Sequence, residues 1–199
     1  MKLLVGTNNA GKVREFADLL SGLPVRLLGL SDAGVLAEVE ETGATFEENA
    51  ILKARGYAMQ SGMWALADDS GLEIEALGNR PGVLSARYGG EGAGFDKKME
   101  MLLAELAAVG DTDRRARFVS AIAVADDAGE IKHVATGTVE GYIARFPRGS
   151  NGFGYDPIFV PEGFDQTFGE LSGDIKRKIS HRSRASAKII RFLSGFIGG

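Results

Sequence analysis

The chain has 199 residues, 44% of them hydrophobic and 25% charged, with a net charge of −4 at pH 7. That length supports one domain, or two closely joined lobes, with ample material for a core. The acidic balance argues against a broad nucleic-acid surface, which needs many Lys and Arg contacts to phosphate, and the absence of cysteine excludes disulfides and thiolate chemistry.

Residues 2–5 form a short apolar run that reads as a strand rather than a signal peptide. The next segment, Gly6-Thr7-Asn8-Asn9-Ala10-Gly11-Lys12, fits the GxxxxGK pattern of a phosphate-cradling loop, but Val13 stands where a Ser or Thr would hold Mg²⁺. The phosphate half of such a site is present and the metal half is missing, so any metal must be held elsewhere. Val13, Phe16, Leu19 and Leu20 then follow at helical spacing. A second strand is expected over 25–28, and an irregular acidic stretch over 29–44. Thr45 and Glu48 have the capping-box spacing and predict a helix over 46–61, with Phe46, Ala50, Ala54, Tyr57 and Ala58 on one face.

Residues 64–67 predict a brief strand ending in Asp68-Asp69-Ser70-Gly71, after which 72–76 alternates again. A Gly-rich loop over 78–94 precedes a helix over 95–106. Residues 117–124 and 131–143 predict a hairpin across Asp127-Ala128-Gly129. A loop dense in Gly and aromatics spans 149–157, and a helix is expected over 183–196. Helices and strands mix without strict alternation, which predicts an α/β fold with a mixed central sheet rather than a doubly wound parallel one.

Four clusters carry candidate chemistry, and each has a blander alternative. The loop from Thr7 to Lys12 leads into a helix N-terminus, where free amides and the helix dipole favour an anion; it is equally an ordinary turn with an Asn cap. Adjacent aspartates on an extended segment point to opposite sides, so one of Asp68 and Asp69 can face a site while the other is structural; an Asx turn closed by Gly71 is the more common fate of DDSG taken alone. Glu40 and Glu41, with Glu38, supply carboxylates for a metal or form a solvated loop. Phe153, Gly154, Tyr155 and Asp156 with Lys176, His181 and Arg182 offer an aromatic face for a base and cations for its oxygen or for phosphate; alternatively the aromatics are core and His181 and Arg182 begin a helix. His133 is given no role.

The stretches TNNAGKVREF (7–16), EETGATFEENAILKA (40–54), ADDSGLEIEALGNRPGVLSARYGG (67–90), GFGYDPIF (152–159) and ISHR (179–182) together resemble the inosine/xanthosine triphosphate pyrophosphatase family, in family order across nearly the whole chain. The resemblance implies a mixed sheet between two lobes with a nucleotide in the cleft, and a homodimer. It implies hydrolysis of ITP, dITP or XTP to the monophosphate and pyrophosphate with Mg²⁺. Carried over by position, Thr7, Asn8, Asn9, Ala10, Gly11, Lys12 and Lys53 should contact the triphosphate. Asp69 should be the general base and a metal ligand, with Glu40 the other acidic ligand unless the alignment shifts by one to Glu41. Ser70, Phe153, Gly154, Tyr155, Asp156, Lys176, His181 and Arg182 should line the nucleoside pocket, with Arg182 or Lys176 donating to the purine O6. Lys12, Asp69 and Arg182 should therefore converge on one crevice.

Two other readings remain open on the residues alone: a P-loop-like kinase or ATPase, which Val13 disfavours, and a non-catalytic nucleotide- or RNA-binding module. No nucleic-acid or membrane partner is expected, since no apolar run approaches the ~20 residues needed to span a bilayer, and the expected address is the cytoplasm. If Asp69 is the base, Asp69→Asn should nearly abolish turnover in a pyrophosphate-release assay while nucleotide binding stays measurable. A near-normal kcat would remove Asp69 from that role.

Overall fold

The computed structural model describes residues 1–35, 37–90, 92–110 and 112–197. The chain divides into two compact units. One comprises Met1–Asp69, Ser120–Gly137 and His181–Gly199, and the other Ser70–Val119 and Thr138–Ser180. Three strands, β3 (Ala65–Ile74), β5 (Arg115–Ala125) and β6 (Ile131–Ile143), contribute one part to each.

In the first unit the strand order is β2-β1-β3-β5-β6, where β1 is Lys2–Val5 and β2 is Arg26–Leu28. Strand β1 pairs in parallel on both sides, Leu3 opposite Leu27 and Leu4 opposite Ala65. Three of its four residues, Leu3, Leu4 and Val5, are buried, which is why the segment reads as a continuous apolar run instead of an alternating one. Helix α1 (Ala10–Leu19) places Phe16 in a core with Leu3, Val5, Leu66, Ile122 and Val124. The last helix of the chain, α5 (His181–Ile197), adds Ala185, Ile189 and Leu193, spaced four apart on one face. Strand β6 runs against the start of that helix at Gly137. A Cβ there would lie 2.3 Å from the His181 carbonyl oxygen and 2.5 Å from the Ala185 nitrogen, so only glycine allows the approach.

Helix α2 (Phe46–Ser61) has the predicted bounds. Thr45 Oγ1 accepts from the Glu48 amide and the Glu48 carboxylate accepts from the Thr45 amide, closing the capping box. Gly62 ends the helix in a left-handed conformation at φ 63°. The buried face carries Phe46, Ala50, Ala54, Tyr57 and Ala58, as the spacing predicted, and also Asn49 and Lys53.

The second unit is built on β4 (Arg80–Pro81), antiparallel to β3, and β7 (Phe159–Pro161), antiparallel to β6, so the sheet is mixed as expected. Met99, Leu102 and Leu106 of α3 (Phe95–Ala108) join Leu72, Ile74, Phe118, Ile143, Tyr155, Phe159 and Phe168 in its core. Phe118 and Phe159 pack with ring centroids 4.6 Å apart. The short helix α4 (Gly173–Ile179) carries Lys176.

One expectation is overturned. Residues 68–71 neither end the strand nor form an Asx turn. Strand β3 runs through them unbroken. A turn would let the aspartate side chains satisfy neighbouring amides, but here distant side chains satisfy them, so the backbone stays extended and both carboxylates sit mid-strand.

Thr45→Ala removes one half of the capping box and should destabilise the protein by about 1 kcal/mol. A shift of the urea midpoint measures this; an unchanged midpoint would show that the cap contributes nothing here.

Candidate active site

All the charged side chains around Asp68 and Asp69 described here belong to the first unit. Asp68 points to the side of β3 where Leu66 meets α1 and α5, and its carboxylate is wholly buried. The Ser120 hydroxyl donates to Oδ1 at 2.5 Å. Lys12 of α1 lies 2.8 Å from Oδ2, and Arg182 of α5 donates to the same oxygen from Nε at 3.4 Å and Nη2 at 3.3 Å. The Nη1 of Arg182 donates to Glu15, one turn beyond Lys12 on α1. Burial by itself would favour the neutral acid. Arg182 and Lys12 outweigh it and hold Asp68 well below the usual carboxylate range.

Asp69 points the other way, towards α2, as strand alternation requires. Asn49 donates to Oδ2 at 3.1 Å, and Lys53 to Oδ1 at 3.2 Å. The same ammonium donates to Glu41 at 2.5 Å, so one lysine bridges two carboxylates. Burial raises the proton affinity of Asp69. Lys53 opposes the rise, and the negative charge of Glu41 adds to it, leaving the group above its ordinary value. Burial works against a charged Lys53, but Asp69 and Glu41 outweigh it and keep the ammonium protonated above its usual range.

Lys12 and Arg182 meet at Asp68, whereas Asp69, expected to share a crevice with them, faces Asn49 and Lys53. Four details describe the surroundings of the candidate residues. First, the loop before α1 is closed by its own cap: Asn9 Oδ1 accepts from the amides of Gly11 and Lys12 at 2.9 and 3.1 Å, and Thr7 Oγ1 accepts from the Asn9 amide. Asn8 and Ala10 are exposed. Second, Lys12 and Lys53 are ion-paired within the protein. Third, Glu41 rather than Glu40 meets Lys53, while Glu40 is exposed. Fourth, the Arg182 guanidinium, expected to read a purine O6, is buried and clamped between Asp68 and Glu15, because the pair of carboxylates compensates its desolvation. His181 is buried as the first residue of α5, and Ser70 is half-buried in β3.

The remaining candidates gather in the second unit. Asp156 Oδ2 accepts from the Phe153 amide at 2.7 Å and from Lys176 at 2.6 Å. The Lys176 ammonium also lies 4.7 Å from the centre of the Phe153 ring, a cation–π contact. Gly154 takes φ 69° between Phe153 and Tyr155. Tyr155 is core: its ring meets Phe95 edge-on at 5.2 Å, and its hydroxyl donates to the Ser85 carbonyl at 2.9 Å. Phe153 is half-buried. His133, given no role, stacks on Phe192 at 4.7 Å.

Sequence reading missed Asn49, Glu15 and Ser120. A signal existed for two of them. Asn49 lies four residues before Lys53, and Glu15 three after Lys12, spacings that put each on its partner's side of a helix. Ser120 carries no such signal, since only strand pairing brings it beside Asp68.

The model of the Ham1 family matches residues 3–192. The chain belongs to the Ham1 family. A protein of Bacillus licheniformis named dITP/XTP pyrophosphatase is 47% identical over 192 residues, covering 96% of this chain and 97% of its own length. A protein of the same name from Mycobacterium bovis is 46% identical over 201 residues, covering all of this chain and 98% of its own. Among solved structures, a HAM1 protein from Coxiella burnetii superposes with a TM-score of 0.90 at 41% identity, covering 98% of this chain and 99% of that one. The Ham1 protein of Staphylococcus aureus gives 0.87 at 42% identity with the same coverage. This Ham1 chain therefore has the α/β fold of those proteins, with the mixed sheet expected from its sequence.

Arg182→Ala leaves the Asp68 carboxylate buried with one cation fewer. Breaking a buried pair on one side costs about 3–5 kcal/mol, so this variant should unfold at markedly lower urea than wild type. A midpoint equal to that of wild type would show that Lys12 and Ser120 suffice for Asp68.

Proposed function

We propose that this Ham1 protein hydrolyses deaminated purine nucleoside triphosphates (ITP, dITP and XTP) to the monophosphate and pyrophosphate, clearing them from the nucleotide pool. The observation that carries the reading is identity of about 47%, end to end, with proteins named for that activity. The arrangement around Asp69 supports it chemically. Water attacks the α-phosphorus, a new P–O bond forms, the α–β anhydride breaks, and pyrophosphate leaves. Asp69 orients the water and takes its proton. Lys53 brings positive charge beside Asp69, where phosphate charge must be offset.

The acidic side chains fit a divalent ion. Among the described residues, no group of three or more His, Asp or Glu gathers, and Mg²⁺ suits such a place because one or two carboxylates with substrate phosphates and water complete its shell. Asp69 and Glu41 are the hard oxygens that would hold it. Burial, and to a smaller degree the negative charge of Glu41, raise the proton affinity of Asp69, and a second cation would offset the share that comes from Glu41. When bound, Mg²⁺ offsets charge developing on the departing pyrophosphate. Within the second unit, Phe153 offers an aromatic face beside the Lys176 ammonium, which is paired with Asp156. A homodimer and a cytoplasmic address, expected from the resemblance, belong to the same proposal.

A P-loop kinase or ATPase is disfavoured. That site needs open amides and a free lysine, and here Asn9 takes two amides while Lys12 is paired with Asp68. The deciding experiment measures pyrophosphate release from ITP, XTP, dITP, ATP and GTP, with and without Mg²⁺. Turnover of the first three, slow turnover of ATP, and loss of activity with a chelator are expected. Equal turnover of ATP, or release of orthophosphate in place of pyrophosphate, would overturn the reading.

A further inference from the structure

The structure assigns Asn49 as a positioning residue that sets the orientation of the Asp69 carboxylate, an inference that rests on the reading of Asp69 as the base. Asn49 is fully buried on α2. Its side-chain amide bonds at both ends: Nδ2 donates to Asp69 Oδ2 at 3.1 Å, and Oδ1 accepts from the Gly43 amide at 2.7 Å. The partners leave no ambiguity about which end is which. A backbone N–H can only donate, and an ionised carboxylate can only accept.

Lys53 follows one helical turn later and takes the other oxygen of Asp69. One rigid helix thus grips both carboxylate oxygens, and the two-point hold fixes the rotation of the carboxylate plane. Each oxygen still has a second lone pair for water or a cation. The chemical difference between the two donors matters. A second ammonium in place of Asn49 would pin the carboxylate but drain its basicity. A neutral amide orients it at lower electrostatic cost.

The other end of Asn49 sets the acidic loop. A Cβ at Gly43 would lie 2.8 Å from Asn49 Oδ1 and 2.6 Å from Glu48 Cβ, so the loop approaches as bare backbone. Glu41, two residues earlier, reaches Lys53. Asn49 and Lys53 together therefore fix where both carboxylates stand, one through a neutral bond and one through charge.

Two variants of the full-length protein test this. Asn49→Asp keeps the shape and the acceptor for Gly43, but replaces the donor to Asp69 with an acceptor and adds a buried negative charge beside it. Asn49→Ala loses both bonds. With ITP and saturating Mg²⁺, kcat should fall roughly 10- to 100-fold in both variants, with KM changed by less than about threefold. A residue that merely supports the fold would lower the melting temperature and leave kcat per folded molecule intact. Asn49→Asp that is folded and has kcat within about twofold of wild type would overturn the inference.

A second readout does not depend on turnover. In ¹⁵N spectra, the Asn49 side-chain amide protons should exchange slowly in wild type and should shift and lose protection in Asp69→Ala. An Asn49 signal indifferent to that change would also overturn the inference. The two readings fail separately. Wild type that releases no pyrophosphate from any of the three nucleotides refutes the proposed activity, while the spectra still decide whether Asn49 holds Asp69. Active wild type with undiminished Asn49→Asp refutes only the role of Asn49.

Discussion

A single buried carboxylate organises the first unit. Asp68 has no access to water, so its charge survives only because Lys12, Arg182 and Ser120 surround it. Those partners come from three separate elements, and each must be in place for the others to be tolerable. An unpaired buried charge is among the costliest defects a fold can contain. The requirement draws α1 and the start of α5 onto β3, and it explains why Gly137 must let β6 pass so close to the α5 N-terminus.

The adjacent residue meets a different environment. Strand geometry turns Asp69 to the opposite side, where a helix supplies one amide and one ammonium in place of two cations and a hydroxyl. The two aspartates differ in environment far more than in sequence position. Asp68 is held ionised below the usual carboxylate range, whereas Asp69 sits above its ordinary value. One side of the strand encloses a permanent anion and the other holds a carboxylate of raised proton affinity, and this division is the physical content of the DDSG motif in this chain.

Much of the architecture was legible because it is written in local chemistry. Thr45 and Glu48 announce the start of α2, and the alternation after Gly129 announces β6 with its full extent. The continuity of β3 was hidden. Asp-Asp-Ser-Gly has strong local turn preferences, and the partners that override them lie 52 and 114 residues away along the chain. The choice between Glu40 and Glu41 was hidden for a different reason. An irregular loop has no period, so nothing in the sequence says which of two neighbours faces inward. Arg182 stood out as a candidate, but its clamp between Asp68 and Glu15 did not. Glu15 resembles any exposed helix glutamate until α1 is laid beside α5.

The opposed aspartates also bear on how the sheet assembles. A slip of one residue in β3 would exchange the two faces of the strand. Asp69 would then enter the enclosure made for a permanent anion, and Asp68 would meet a helix offering one ammonium already shared with Glu41. Leu66 would leave the apolar core at the same step. Strand β3 pairs in parallel with β1, a ladder whose own hydrogen bonds discriminate little between neighbouring alignments. In this chain the alignment is proofread by charge as well as by greasy side chains, so the pair of carboxylates guards the folding route that creates it.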